Sequence, residues 1–423
     1  TKGHIKIRST SFGKIPTDQD LFNAITNGMR GTTMPGWKHL SKEDRQSLIL
    51  YIKSLSKKFK KFKKRGKKHK IVSAPKPPTF SLEGVKRGKK SFMINCSGCH
   101  GVEGRGDGVT TARIVDYSSN AIWPRNLREP WKFRRGARRE DIFLTLRTGL
   151  STTAMPKFSP RVFKDQEIWD IVDFVRTLGS PKKPQVKPVI QAMKVNEPLS
   201  IELDAPFWEK AQSFYIPLGG QILKKPKSYF PTVIKLTIRA AYNDKEIAFK
   251  VQWDDPSYDP ALIEKDKVEA SPTPPLPDHL KGQKDEETIE SVAPEFPDSF
   301  ALQFPVNLAT QKPYFLNGDP EHPVNLWKWT SSDNKVLEWN ATGLKKWSLQ
   351  DELSQIVDAQ VNYKFGRYTL VLKRKLNVIH EKIDSQFLPG KSIPIAFNIW
   401  DGYQGETESK KSISSWFELQ LVK

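Results

Sequence analysis

The sequence predicts a multi-domain chain: two small all-α domains followed by an all-β domain, an antiparallel β-sandwich. Three observations carry that prediction. A repeat runs at a fixed offset through the first 180 residues, apolar residues fall at helical spacing inside each copy, and the pattern changes to alternation beyond about residue 187. At 423 residues there is room for two to four domains with cores of their own. With 37% hydrophobic and 27% charged residues the composition is that of an ordinary globular protein, which excludes disorder as the state of most of the chain. No run of about 18 apolar residues occurs, so the sequence contains no transmembrane helix and any membrane contact falls to the surface or to a partner.

The repeat is read residue by residue. Asp20-Leu21-Phe22 matches Asp141-Ile142-Phe143, Gly28 matches Gly149, Thr32 matches Thr153, and Met34-Pro35 matches Met155-Pro156, all at an offset of 121. After a shift of two residues Leu48, Ile49, Ile52 and Leu55 take the places of Ile171, Val172, Val175 and Leu178, a spacing that makes one apolar helix face. Both copies are therefore expected to be small helical domains of one kind, the first without its front third. In the last part, Thr232 to Ile238, Ile247 to Trp253, Ser299 to Phe304, Arg367 to Leu372, Ile393 to Trp400 and Ser415 to Leu421 alternate apolar and polar residues and are rich in β-branched and aromatic types. Gly, Pro, Asn and Asp punctuate the gaps, as expected of a sandwich or barrel.

Composition shifts place the boundaries. The expected segments are 1–56 and 79–180 for the helical domains, 57–78 and 181–186 for linkers, and 187–423 for the β domain. The net charge of +22 is unevenly spread. Ten of the fourteen residues from Lys57 to Lys70 are Lys or Arg, and the run is followed by the stiff Ala74-Pro75-Lys76-Pro77-Pro78. Asp254 to Asp298 instead holds thirteen acids, four lysines and eight prolines, the mark of a long irregular excursion.

Only two cysteines exist, three positions apart, which leaves none for a structural disulfide. Cys96-Ser97-Gly98-Cys99-His100 has the spacing that lets two thiols add to the two vinyl groups of one porphyrin, with the histidine under the iron as proximal ligand. A redox dithiol or half of a zinc site are the other readings, but zinc would need further ligands near by. Met155, after a helix and a glycine turn, is the expected sixth ligand. A thioether favours ferrous iron and raises the potential, whereas the plain alternative is a gap-filling core methionine. With both axial positions filled, electron transfer is favoured over chemistry at the iron. Gly101-Val102-Glu103-Gly104-Arg105-Gly106-Asp107-Gly108 does not have the spacing of a phosphate cradle.

From Gly88 through Leu178 the chain resembles class I-type cytochrome c domains: an opening helix with Gly88 and Phe92, the haem motif, the glycine loop, Met155 and a closing helix. From about Ile5 to Leu55 the resemblance covers only the back half, with Met34 but no Cys-x-x-Cys-His. Met34 is accordingly expected to be the axial ligand of a second haem c attached upstream of Thr1, the alternative being a domain that has lost its haem. Haem c chemistry requires export to a periplasmic or equivalent compartment, so the start at Thr1, with no signal peptide, reads as mature or truncated.

The β part is similar to the haem-b-binding γ subunit of ethylbenzene dehydrogenase and its relatives in selenate, chlorate and nitrite oxidoreductases. The resemblance rests on Leu203-Asp204-Ala205-Pro206-Phe207-Trp208, Gln252-Trp253-Asp254-Asp255, Phe304-Pro305, Gly318-Asp319, Pro323 to Trp329, Phe397 to Gly402 and Lys411 to Trp416. It implies a haem b gripped between a methionine and a lysine, with Lys411 at the lysine position. The stretch matching the methionine reads Tyr314-Phe315-Leu316-Asn317-Gly318-Asp319, the domain's one methionine is Met193, and His322 is a substitute that also reads as a turn residue beside Pro323. Lys411 itself also reads as a solvated strand-end lysine beside Lys410. Trp327 and Trp329, two apart, would share one face of a strand, in the core or lining a pocket or interface.

The expected function is that of a multihaem electron-transfer subunit relaying electrons between a partner oxidoreductase, implied to contain molybdenum and iron–sulfur centres, and a cytochrome or membrane acceptor. The basic run would steer an acidic redox partner or touch an anionic membrane surface, or serve as a solvated linker; nucleic acid is not an expected partner. Two rivals belong to other classes. One is an exported cytochrome c fused to a carbohydrate- or partner-binding sandwich without haem b, gripping sugar with exposed tryptophans, and the other is a haem enzyme such as a peroxidase with five-coordinate iron.

Overall fold

A computed structural model describes residues 7–11, 14–29, 34–65, 68–111, 114, 122–151, 153–260, 296–308, 311–376, 378, 380 and 382–422. Thr32 of the repeat, Ile5 and most of the acid- and proline-rich excursion lie outside the described residues. The chain divides into two compact units, 1–183 and 184–423.

The first unit is helical, with α1 (Asp18–Asn27), α2 (Lys42–Ser54), α3 (Lys57–Lys64), α4 (Leu82–Asn95), α5 (Ser97–His100), α6 (Arg139–Thr148) and α7 (Asp165–Thr177). Helix α4 starts where the Ser81 hydroxyl accepts from the Gly84 amide, and packs along α7. The two helices touch at Gly88, where an added Cβ would lie 1.9 Å from the Asp170 carbonyl oxygen. On either side Arg87 donates twice to the Asp170 carboxylate, at 2.7 and 3.0 Å, and the rings of Phe92 and Phe174 lie 5.1 Å apart. Phe92, Ile142, Phe143, Ile168, Trp169, Val172 and Val175 form the core between α4, α6 and α7.

The repeat read from the sequence persists in the backbone. The Met29 amide donates to the Met34 carbonyl and the Leu150 amide to that of Met155, at 3.1 and 3.2 Å. Likewise Trp37 donates to Ile25 and Phe158 to Leu146, both at 2.9 Å, and all four bonds keep the offset of 121. Gly28 and Gly149 end α1 and α6 at φ of +68° and +64°, a region that suits glycine. Helix α2 superposes on α7 in sequence with the shift of two, yet its apolar face is less covered. Leu48 and Tyr51 are 38% and 63% exposed, where Ile171 and Phe174 are 2% and 6%. In α7 that face is covered by α4.

Segments 1–56 and 79–180 fall in one compact unit, tied by donation from Val72 N to the Ser9 carbonyl (2.7 Å) and from the Arg135 guanidinium to the Arg8 carbonyl (2.6 Å). The first half of the expected linker 57–78 is helix α3, because Phe59 is buried against Ile49, Leu21 and Ile25 while its lysines stay outside.

The second unit is a sandwich of mixed rather than purely antiparallel pairing. Its strands are β1 (Val189–Lys194), β2 (Phe214–Pro217), β3 (Gly219–Gly220), β4 (Lys235–Tyr242), β5 (Glu246–Asp254), β6 (Ser299–Pro305), β7 (Val324–Thr330), β8 (Val336–Ala341), β9 (Trp347–Leu349), β10 (Asp358–Tyr363), β11 (Arg367–Lys375), β12 (Ser392–Trp400), β13 (Ser412–Ile413) and β14 (Phe417–Leu421), with a short helix α8 (Phe207–Lys210). Strand β1 is the exception to antiparallel pairing: Val189–Ala192 runs parallel to β14, and Met193–Lys194 parallel to β4. It thereby joins the series β10-β11-β5-β4 to β14-β12-β6-β7-β8-β9. The two series face one another, for Phe249 and Trp253 of β5 meet Phe304 and Phe300 of β6 and Trp327 and Trp329 of β7 across the core. Trp327 and Trp329 share one face, as their spacing predicts, and both are fully buried.

Candidate functional site

Helix α4 delivers the thiol-bearing turn. The Cys96 amide closes on Phe92, and the amides of Cys99 and His100 both donate to the Cys96 carbonyl, so α5 prolongs the chain by one turn. Gly101 ends it at φ +74°, and the glycine loop wraps back. Gly106 donates to the His100 carbonyl at 2.8 Å, Thr110 Oγ1 to that of Gly98 at 2.7 Å, and Thr111 Oγ1 to that of Cys99 at 3.1 Å. Gly108 lies so close to Gly98 that a Cβ would sit 2.3 Å from the Gly98 carbonyl oxygen. The loop's glycines therefore serve this close return.

His100 Nδ1 lies 3.0 Å from the Arg125 carbonyl oxygen. A carbonyl only accepts, so Nδ1 carries the proton and Nε2 keeps its lone pair. Burial lowers the pKa of His100, which keeps the imidazole neutral and able to bind metal. Burial, and then the neighbouring Cys99, pushes the Cys96 thiol up to about 12. Its charge is thus disfavoured, in keeping with a sulfur destined for a covalent thioether rather than a metal thiolate.

The Met155 loop comes from α6 and Gly149. Its amide accepts support from Thr153, donating to Oγ1 at 3.2 Å, and Thr153 in turn donates to the Leu150 carbonyl. Met155 and Cys96 pack on the same apolar cluster, together with Leu127, Phe133 and Phe158. The structure thus brings Cys96, Cys99, His100 and Met155 into one domain around one core. Met34 stands at the equivalent place of the first copy, 37% exposed.

Four groups that the sequence did not flag complete the setting. Arg125 and Arg134 are half-buried, and desolvation followed by mutual repulsion lowers the pKa of Arg134. Trp131 Nε1 and Ser151 Oγ are buried with no hydrogen-bond partner among the described residues. Buried donors without a partner and half-buried guanidinium groups suit a ligand that brings carboxylates, as a porphyrin does with its propionates. The donor set, the neutral imidazole and this surplus of positive charge fit haem c.

In the second unit Lys411, just before β13, is fully buried. Its Nζ donates to Asn317 Oδ1 at 2.5 Å and lies 4.7 and 5.4 Å from the ring centres of Trp400 and Trp347. Lys328 lies over the same two rings, at 5.2 and 6.0 Å. Burial, and then the charge of Lys328, lowers the pKa of Lys411 well below that of an ordinary lysine. The reading of Lys411 as a solvated strand-end residue is therefore corrected. Asn317, at φ +62°, is held by donation to Gln303 Oε1 at 2.7 Å. Met193 packs in another cluster, with Leu199 and Trp208. His322 Nδ1 lies 2.9 Å from Asp319 Oδ1 in a tight turn, the bland reading given to it. These residues supply the lysine of a methionine–lysine pair, but Asn317 rather than a thioether stands against it. The fit to that pair is half complete, and no electron-transfer step is derived through a haem b.

No helix among the described residues is long and apolar enough to cross a membrane. Comparison with known proteins agrees with the two-part organisation. Residues 85–179 match the family model described as Cytochrome c, and residues 205–353 the one described as Ethylbenzene dehydrogenase. A Haloferax mediterranei protein bearing the name of a respiratory nitrate reductase heme subunit is 24% identical over 212 residues, covering 50% of this chain. The match spans 65% of that relative's own length. A chain of the Kuenenia stuttgartiensis reducing HAO-like protein complex is 32% identical, with 42% of this chain and 79% of that one covered and a TM-score of 0.39. A carbohydrate binding module of family 9 from Caldicellulosiruptor kristjanssonii is 10% identical, with 55% and 95% covered and a TM-score of 0.31.

Proposed function

We propose that this chain, a cytochrome c domain joined to an ethylbenzene dehydrogenase-type domain, is a haem-carrying electron-transfer subunit of an exported oxidoreductase complex. The observation that carries the reading is the convergence of the Cys96–His100 turn and Met155 on one apolar core. Bound haem c supplies reversible one-electron exchange. Cys96 and Cys99 would hold it covalently, the Arg125 carbonyl fixes the ring and tautomer of His100, and His100 and Met155 would bind its iron. Arg125 and Arg134 would balance its carboxylates, and Phe92, Phe133 and Phe158 would keep water out. Iron held by two protein side chains would favour relay over substrate chemistry, so the chain is read as a non-catalytic subunit.

Finer assignments rest on weaker support. Met34 is assigned as axial ligand of a second haem c, on the strength of the repeated backbone pattern. Lys411 is assigned to a haem b, on the family match and its full burial. A molybdenum and iron–sulfur enzyme is assigned as partner on the family resemblance; the name of the Haloferax relative, a heme subunit of a respiratory nitrate reductase, supports a redox partner. Helix α3, with its lysines outward, is assigned to docking an acidic partner or an anionic membrane surface. The sugar-binding rival loses its motive at Trp327 and Trp329, which are buried.

Mild purification from the native source tests the proposal. Haem spectra of the c type together with a co-purifying molybdenum and iron–sulfur subunit support it. A colourless chain overturns the relay, and a lone cytochrome with no partner overturns the assignment to a complex.

A further inference from the structure

Asp255, Asp298 and Asp401 meet inside the β unit, at the end of β5, the start of β6 and the end of β12. One carboxylate oxygen of each lies within 4.8 Å of the others, and all three side chains are buried. Asp259, also buried, adjoins them, its amide donating to Asp298 Oδ2 at 3.0 Å. Among the described residues no lysine or arginine forms an ion pair with any of the four. Such a concentration of negative charge in a low-dielectric interior requires either protons or a cation.

Protons answer part of this requirement, since burial and then mutual repulsion push Asp298 up to about 8. They leave a second observation unexplained. Asp255 Oδ2 and Asp401 Oδ2 are buried with no hydrogen-bond partner, although each carboxylate's other oxygen is satisfied, by Ser257 N at 3.2 Å and Gln404 N at 3.1 Å. Two buried oxygens without a partner in a cluster of acids suit a group that accepts lone pairs. Ligand oxygens all within 4.8 Å of one another match the spacing around a cation with metal–oxygen distances of about 2.3–2.6 Å.

We propose that Asp255, Asp298 and Asp401 form a structural calcium site. Calcium fits because the donors are hard carboxylate oxygens from separate loops, which suits its flexible geometry better than the strict octahedron of magnesium. The site clamps three strand ends beneath the stacked rings of Trp253, Tyr368 and Phe300, and Tyr368 fixes Asp298 through its hydroxyl at 2.6 Å. It also ties the two ends of the acidic excursion, where the Asp298 amide donates to the Asp259 carbonyl at 2.9 Å.

The test uses the full-length, haem-loaded protein purified without chelator. Metal analysis is expected to find about one calcium per chain. After treatment with a chelator, titration with calcium chloride should release or absorb heat with a single-site isotherm and raise the melting temperature of the β unit followed by circular dichroism. Asp401→Asn, which keeps the shape and removes one charge, should weaken calcium binding at least about tenfold. A chelated wild-type protein that neither binds calcium nor gains melting temperature at millimolar concentration overturns the site. So does an Asp401→Asn protein whose calcium response equals the wild type. If that variant does not fold, the wild-type titration decides by itself.

Discussion

At His100 a single carbonyl sets the chemistry: the Arg125 carbonyl accepts from Nδ1–H, and the opposite nitrogen is left for iron. Replacing Met155 by alanine removes the facing sulfur without touching that arrangement, so the iron should become high-spin and open to cyanide, with a lower midpoint potential, as optical spectroscopy and redox titration would show. Lys411→Ala should abolish any b-type signal in a pyridine haemochrome assay and leave the c-type signal intact, and an unchanged b-type signal would remove Lys411 as ligand. Cys96, Cys99 and His100 were legible because their chemistry demands contiguity in sequence. Arg125, Arg134 and the tryptophan cage around Lys411 were not, because each draws on residues far apart in the chain and common in any protein. Lys411 could be placed by family resemblance, but only the structure reveals its burial against Trp400 and Trp347, which lowers its pKa.

Between elements, the crossing of α4 and α7 rests on Gly88. Gly88→Val would drive a side chain into the Asp170 backbone, and should cost about 1–3 kcal/mol in a chemical-unfolding measurement, with loss of haem retention if the helices part. In the β unit Glu338 of β8 and Arg374 of β11 form a buried pair, 3.5 Å apart. Burial raises the Glu338 carboxyl from an ordinary value of 4.5 to about 7. A carboxyl whose folded pKa lies above its unfolded one binds the proton better when folded, so its contribution to stability is full below about 4.5 and is lost as pH rises through about 7. Glu338→Gln should flatten the fall of stability across that window, which melting curves at several pH values would reveal. Helix and strand positions were largely legible, since the six alternating segments correspond to β4, β5, β6, β11, β12 and β14. The parallel pairing of β1 was not, because a strand's apolar pattern records which face is buried and says nothing about its neighbour's direction.

Over the whole chain, two units of different architecture each carry candidate haem ligands, and the repeat inside the first unit extends from side-chain pattern to hydrogen bonds. That extension could be anticipated because turns with glycine at positive φ tolerate little substitution. The merging of both copies and the basic helix into one unit could not, because it depends on contacts such as Arg135 to Arg8 that span more than a hundred residues. The central claim, that the protein closes both faces of its c haem and so relays electrons, is tested most directly by adding cyanide to the oxidised, purified protein while recording its optical and electron paramagnetic resonance spectra. The account predicts a low-spin spectrum that cyanide leaves unchanged on the time scale of mixing. Rapid conversion from a high-spin form would contradict it.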